Sequence, residues 1–147
     1  MVERSGLSGK KSDMNGEALL VVAGALRRGD GCWLLHRRPL EKHHGGLWEF
    51  PGGKVEKHEI PRDALCRELA EELGIEVKPE DCEPLFFAES GRNAGALAIV
   101  ILLYRIDDWV GEPRAVEGEA VGWFDFGEMA ELDKPPLDER LLARLIG

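Results

Sequence analysis

The chain has no apolar run near the roughly 20 residues that cross a bilayer as a helix, so no membrane-spanning role is expected. Cysteine is scarce: Cys32, Cys66 and Cys82 lie far apart, with no C-x-x-C pair. An odd, scattered set argues against a disulfide framework or a zinc ribbon. It reads as reduced, mostly buried thiols in a cytoplasmic protein. Basic charge is also short, with 19 Lys and Arg against 28 Asp and Glu, a net of −9. A protein that coats duplex nucleic acid needs a basic face to neutralise phosphates, so that class is disfavoured. A small phosphorylated substrate is not, because bound cations bridge acidic side chains to phosphates. There is no internal repeat and no low-complexity segment.

What remains is 147 residues with an ordinary apolar fraction of 44%, enough for one domain with its own core. Residues 1–16 are polar, rich in Ser, Gly and Lys, and are expected to form a flexible tail before a domain at 17–147. Lys10-Lys11 ahead of Ala18–Leu26, with Ala23-Gly24-Ala25, has the outline of a secretory leader. Asp13 and Glu17 break the basic segment and the apolar stretch is short, so a buried strand is the expected reading.

The continuous apolar run from Ala18 to Arg28 suits a strand buried on both faces. Turn chemistry at Arg27–Gly31 leads into a second strand, Cys32–Arg37, so the two read as a hairpin. A loop from Pro39 to Gly46 precedes a short strand, Trp48–Phe50, ended by Pro51-Gly52-Gly53. Pro61 suits a first helical turn and Gly74 a left-handed end, and Leu65, Leu69 and Leu73 supply a buried stripe, which predicts a helix over Pro61–Leu73. Strands follow at Glu83–Glu89 and Ala94–Asp107, paired around Ser90–Asn93, and at Ala120–Phe124. A terminal helix, Leu137–Ile146, presents Leu141, Leu142, Leu145 and Ile146 to the core. Strands mixed with two or three helices make an α+β domain or an α/β/α sandwich.

The chemistry concentrates between Gly52 and Ile75. On the helix, Glu68 and Glu72 share a face and Glu71 lies beside them. Carboxylates so placed repel one another, and Arg67 is the only cation close by. A string of this kind taken alone is usually a solvated helix face, and Gly-Gly taken alone is usually a turn. Together they suit a hard divalent cation held by oxygen ligands, with glycine backbone close by, as in metal-assisted hydrolysis of a phosphoanhydride.

The joint pattern is G-x5-E-x7-R-E-L-x-E-E-x-G-I, carried by Gly53, Glu59, Arg67, Glu68, Leu69, Glu71, Glu72, Gly74 and Ile75. It resembles the Nudix box at every fixed position, and the resemblance runs from about Ala18 to Ile146. It is nearest to the MutT-like subgroup, which includes 8-oxo-dGTP diphosphatases and CTP pyrophosphohydrolases. The resemblance implies a mixed sheet between helices with the box as loop–helix–loop. It implies hydrolysis of a nucleoside triphosphate, with an oxidised or modified purine or a pyrimidine base, to the monophosphate and pyrophosphate. Mg²⁺ is the implied cofactor, with Mn²⁺ as an alternative.

Carried over by position, Gly52 (through its carbonyl), Glu68, Glu71 and Glu72 are the implied metal ligands, with Glu68 also the base that deprotonates the attacking water. Arg67 is implied to orient a box carboxylate and Glu59 to be an outer acid, each with a purely structural alternative. The segment Gly111-Glu112-Pro113-Arg114-Ala115-Val116-Glu117-Gly118, ahead of Trp123, matches a subgroup segment whose second Glu is a further ligand or base. That places Glu117 at the site; the alternative is a surface loop residue. Arg38 and Phe50 fall where the subgroup contacts the base or sugar, though Phe50 reads equally as core. Lys54 is a candidate phosphate contact or a surface lysine. Trp48 and Trp123 read as core, and His43 and His44 as solvated.

Asp138 departs from the oxidised-guanine members, which carry Asn there, and resembles the CTP branch. An ionised Asp only accepts, which suits guanine N1–H and N2–H or a cytosine amino group. A protonated one also donates, and the structural alternative is an N-cap for the last helix. The expected partner is a small nucleotide, with no duplex nucleic acid and no membrane, in a monomer or homodimer. Two other functions stay open: hydrolysis of a different diphosphate, such as ADP-ribose or a dinucleoside polyphosphate, and a non-catalytic Nudix-fold binding module.

Overall fold

The computed structural model describes residues 18–91 and 97–147. The expected tail at 1–16 lies outside them, as do Arg92, Asn93 and the predicted start of the following strand at Ala94. Seven strands are described: β1 (Ala18–Leu26), β2 (Trp33–Arg37), β3 (Trp48–Glu49), β4 (Gly52–Lys54), β5 (Cys82–Glu89), β6 (Ala98–Ile106) and β7 (Ala120–Phe124). Helices are α1 (Pro61–Leu73), α2 (Phe126–Glu131) and α3 (Pro136–Ile146), with one 3₁₀ turn at Pro79–Asp81.

One sheet runs β4-β1-β6-β5 and is mixed, with β1 parallel to β6 and the other pairs antiparallel. A second, β3-β2-β7, is antiparallel. The chain is an α+β protein, and its strand faces divide the core. Val22 and Leu26 of β1 and Leu34 of β2 pack with Leu65, Leu69 and Leu73 of α1. Ala23 and Ala25 of β1 and Leu35 of β2 pack with Met129 of α2 and Leu141 and Leu142 of α3. Alternate residues therefore meet different helices, the period-two consequence of strand geometry. This is why β1 reads as one unbroken apolar run.

Several expectations are corrected. β1 and β2 are not a hairpin: beyond a single bridge, Arg27 to Trp33, they enter different sheets. β6 pairs along the whole of β1 and β4 takes Val21–Ala23 on its other edge, while β2 pairs with β3 and β7. Gly52 and Gly53 do more than end a strand. They form β4 against Val22 and Ala23, where a side chain on Gly52 would strike the Val22 carbonyl. Ile146 is exposed, since it lies in the last turn just past the arc that Leu141, Leu142 and Leu145 cover. Among the thiols only Cys82 is buried; Cys32 and Cys66 are half-buried, and all three are free.

α1 ends as predicted, with Gly74 at φ 70° and its amide on the Ala70 carbonyl at 3.1 Å. Helix α2 has no counterpart among the predicted elements. Its start is a reciprocal capping box between Asp125 and Glu128. Trp48 stands edge-on to Phe124, and Trp123 stacks on Trp109, both against the core. His43 and His44 are exposed.

Candidate active site

A cleft of about 900 Å³ opens between the C-terminal half of α1, β4, the β2–β3 loop and the segment before β7. Arg38, Phe50, Gly52, Lys54, Glu68, Glu71, Glu72, Glu117 and Asp138 all line it. Arg67, the remaining predicted site residue, lies behind the carboxylates instead. Residues from most of the chain's length thus converge on one cavity.

The box builds one wall. Leu65, Leu69 and Leu73 anchor one side of α1 in the core, which turns Glu68 and Glu72 to the cleft. Glu72 accepts the Gly52 amide at 3.2 Å, which ties α1 to β4. At Gly53 the Glu68 carboxylate occupies the space that a Cβ would take. The two glycines therefore let carboxylates lie directly on the backbone of β4.

Arg67 spans this cluster from outside. Its Nε and Nη2 meet both oxygens of Glu59, at 2.9 and 3.0 Å, in a bidentate pair. Its Nη1 reaches Glu68 at 3.1 Å and Glu71 at 3.5 Å, and Nη2 also donates to the Lys54 carbonyl at 3.1 Å. The guanidinium holds Glu59 down at about 2, with help from the Glu56 amide. One cation thus joins the loop before α1 to the helix.

The cleft carboxylates behave differently. Burial pushes Glu68 up, and Glu71 and Glu117 add repulsion that Arg67 only partly offsets. Burial also raises Glu72 well above the usual range, with Glu49 and Glu68 adding to it and His36 opposing. Glu71 and Glu117 are exposed. Among the described residues, no three His, Cys, Asp or Glu side chains stand close enough to hold a metal ion as they are placed. The carboxylates line an open wall rather than a closed cage. Their chemistry nevertheless fits a hard divalent cation: carboxylate oxygens that repel one another, beside a glycine backbone, with a single arginine to neutralise them.

The cleft is also lined by Arg38, Phe50 and Asp138. Arg38 donates to Glu49 at 2.9 Å and to the His43 carbonyl at 2.8 Å, which closes the Pro39–Gly46 loop over the base of β2. Phe50 is buried against the α3 side of the core, yet it also lines the cleft. Asp138 does not cap α3, whose N-cap is Pro135 with no side-chain cap bond. It is buried in the first turn, and its Oδ2 accepts the Phe50 amide at 3.0 Å. Burial, aided by Glu49, pushes it up to about 8.

Two residues here escaped the sequence reading. Glu49 pairs with Arg38 and adds to the repulsion on Asp138 and Glu72. His36 is buried in β2 and lines the cleft, as does Arg38 just past the strand's end. Burial works against its protonation, but Glu49, the Glu117 carbonyl and Glu72 outweigh it and its pKa is raised. Its one signal in the sequence is its place in an otherwise apolar strand.

Comparison with known proteins bears on this cleft. Residues 18–145 match the NUDIX domain model. The chain is 38% identical to the CTP pyrophosphohydrolase of Escherichia coli over 122 residues, 83% of this chain and 87% of that protein. It is 39% identical to the putative 8-oxo-dGTP diphosphatase 2 of Mycobacterium tuberculosis over 131 residues, 86% of each. The solution structure of the E. coli ORF135 protein superposes with a TM-score of 0.78 at 34% identity, covering 94% of both chains.

Proposed function

The chain belongs to the NUDIX family and is a Nudix hydrolase of MutT-like type, and from that premise we propose that it cleaves a nucleoside triphosphate to the monophosphate and pyrophosphate. The substrate would carry an oxidised or modified purine, or a pyrimidine. The observation that carries this reading is the convergence in one cleft of the box carboxylates with Arg38, Phe50 and Asp138. Carboxylates suited to metal and phosphate thus share a cleft with groups suited to a base.

Glu68, Glu71, Glu72, Glu117 and the Gly52 carbonyl would hold divalent metal, Mg²⁺ or Mn²⁺, which when bound neutralises the triphosphate and acidifies water. Glu68 takes the proton of the attacking water. Arg67 keeps Glu68 in place by pairing with it and with Glu59. Lys54 lies at the rim, where a cation meets phosphate oxygens.

Asp138 would read the base. Held up at about 8, it is mostly neutral at pH 7 and offers an O–H donor as well as an acceptor. The neutral acid, like the asparagine of the oxidised-guanine members, both donates and accepts, which supports oxidised guanine as a candidate base. Relatives named for CTP and for 8-oxo-dGTP are about equally similar to this chain, which supports both as candidates. The setting we propose is the cytoplasm; no helix among the described residues is long and apolar enough to cross a membrane.

The test is a product-resolved hydrolysis screen with Mg²⁺. The panel holds 8-oxo-dGTP, dGTP, CTP, 5-methyl-dCTP, ADP-ribose and a dinucleoside polyphosphate. One triphosphate yielding monophosphate and pyrophosphate is the expected result, with Glu72→Gln slower by orders of magnitude but folded. Turnover of ADP-ribose or the dinucleoside compound alone would overturn the triphosphate assignment.

A further inference from the structure

His36 is a buried side chain that the proposed chemistry does not use. Its ring is 2% exposed, in a strand otherwise filled by Trp33, Leu34 and Leu35. Its Nε2 lies 2.6 Å from the carbonyl oxygen of Glu117, 81 residues away in sequence. A carbonyl only accepts, so this nitrogen carries the proton and donates, whichever charge the ring holds. The other nitrogen, Nδ1, has no hydrogen-bond partner, and the Glu49 carboxylate is 3.8 Å from it.

The segment that His36 meets is otherwise tied down through its backbone amides. Val116 and Glu117 donate their amides to the Glu72 carbonyl, at 3.0 and 3.2 Å, and Glu119 donates to the Arg37 carbonyl at 3.0 Å. Gly118, at φ 91°, sits on the imidazole so closely that a Cβ there would strike Nε2. Glu117 is itself exposed, and its amide is bonded to the Glu72 carbonyl. The ring is the one side chain bonded to it among the described residues.

We propose that His36 is a positioning residue: by holding the Glu117 carbonyl from beneath, it sets where Glu117 presents its carboxylate to the cleft. The inference rests on the reading of Glu117 as a working carboxylate. Gly118 is part of the device, since only a residue without a side chain lets the loop descend onto the ring.

The experiment is a double-mutant cycle read two ways. Gln reaches as far as the imidazole Nε2 and donates there, whereas Leu fills space and donates nothing. His36→Leu should lower kcat about ten-fold or more with little change in KM. His36→Gln should stay within about three-fold of the parent, since the bond is retained. In the Glu117→Gln background His36→Leu should cost nothing further. Independently of turnover and without metal, hydrogen exchange at residues 116–119 should quicken in His36→Leu and not in His36→Gln. Equal losses from His36→Leu in both backgrounds, a Gln variant as slow as Leu, or unchanged exchange would overturn the proposal. Parent-like turnover of Glu117→Gln would instead overturn the reading of Glu117, and this inference with it. If His36→Leu does not fold, His36→Asn, which stops short of the carbonyl, takes its place.

Discussion

The carboxyl of Asp138 pays for its position beside Phe50 with a pKa pushed from 3.8 to about 8. Its folded value lies above its unfolded one, so the folded state binds the extra proton between them. Stability is then full below about pH 3.8 and falls as pH rises toward 8. Asn keeps the shape and the acceptor for the Phe50 amide but has no charge to bury. Asp138→Asn should therefore match the parent in denaturant unfolding near pH 4, gain on it steadily, and hold a constant lead above pH 8. A difference that does not change with pH would mean that Asp138 is not held neutral. The sequence names this residue and not its state, since the state comes from burial by distant segments. The box glutamates are legible because a helix places residues three and four apart on one face. His36 is not, because one histidine in an apolar strand acquires its meaning from a loop 81 residues downstream.

Legibility at the scale of elements follows the range of the forces involved. Helix α1 is predicted to the residue because Pro61, Gly74 and the leucine stripe are local signals. The short helix α2 has too few residues for a stripe, and only its capping box announces it. Strand β4 is hidden because glycines carry no strand propensity; pairing with β1 makes it a strand. The sheet partner of β1 is likewise a matter of which edges are free, and no turn signal reports that. Strand β4 and α1 together make the carboxylate wall, so the absence of a side chain at Gly53 matters as much as the presence of one at Glu68. Gly53→Ala should leave the fold intact, because the displaced group is the mobile end of a side chain. It should still slow hydrolysis about 10- to 100-fold by shifting Glu68. Circular dichroism and steady-state rates on the same sample check both halves, and parent-like rates would detach Gly53 from the site.

Across the whole molecule, two cores on opposite strand faces hold rigid what the cleft between them makes costly. The apolar contacts of α1 on one side and of α2 and α3 on the other set the wall positions. Acidic side chains then crowd that cleft in a chain whose net charge is already −9. As the proposed active site, it would trade stability for function. Without metal, Glu72→Gln should melt higher than the parent at neutral pH and above, because it removes a half-buried carboxylate whose ionised form is disfavoured. A ligand that binds only the folded state stabilises it in proportion to the logarithm of its excess, by about 2.7 kcal/mol at 100 times its Kd. Mg²⁺ at that excess should raise the parent's Tm by roughly 5–10 °C. NaCl at equal ionic strength screens the repulsion without occupying the wall, so it should do less. Glu72→Gln should lose most of the Mg²⁺ increment while keeping its higher starting point. If both proteins gain equally from Mg²⁺, the cation binds elsewhere and the carboxylate wall is only a surface. If the parent gains and the variant does not, the instability built into the cleft is what the cation relieves.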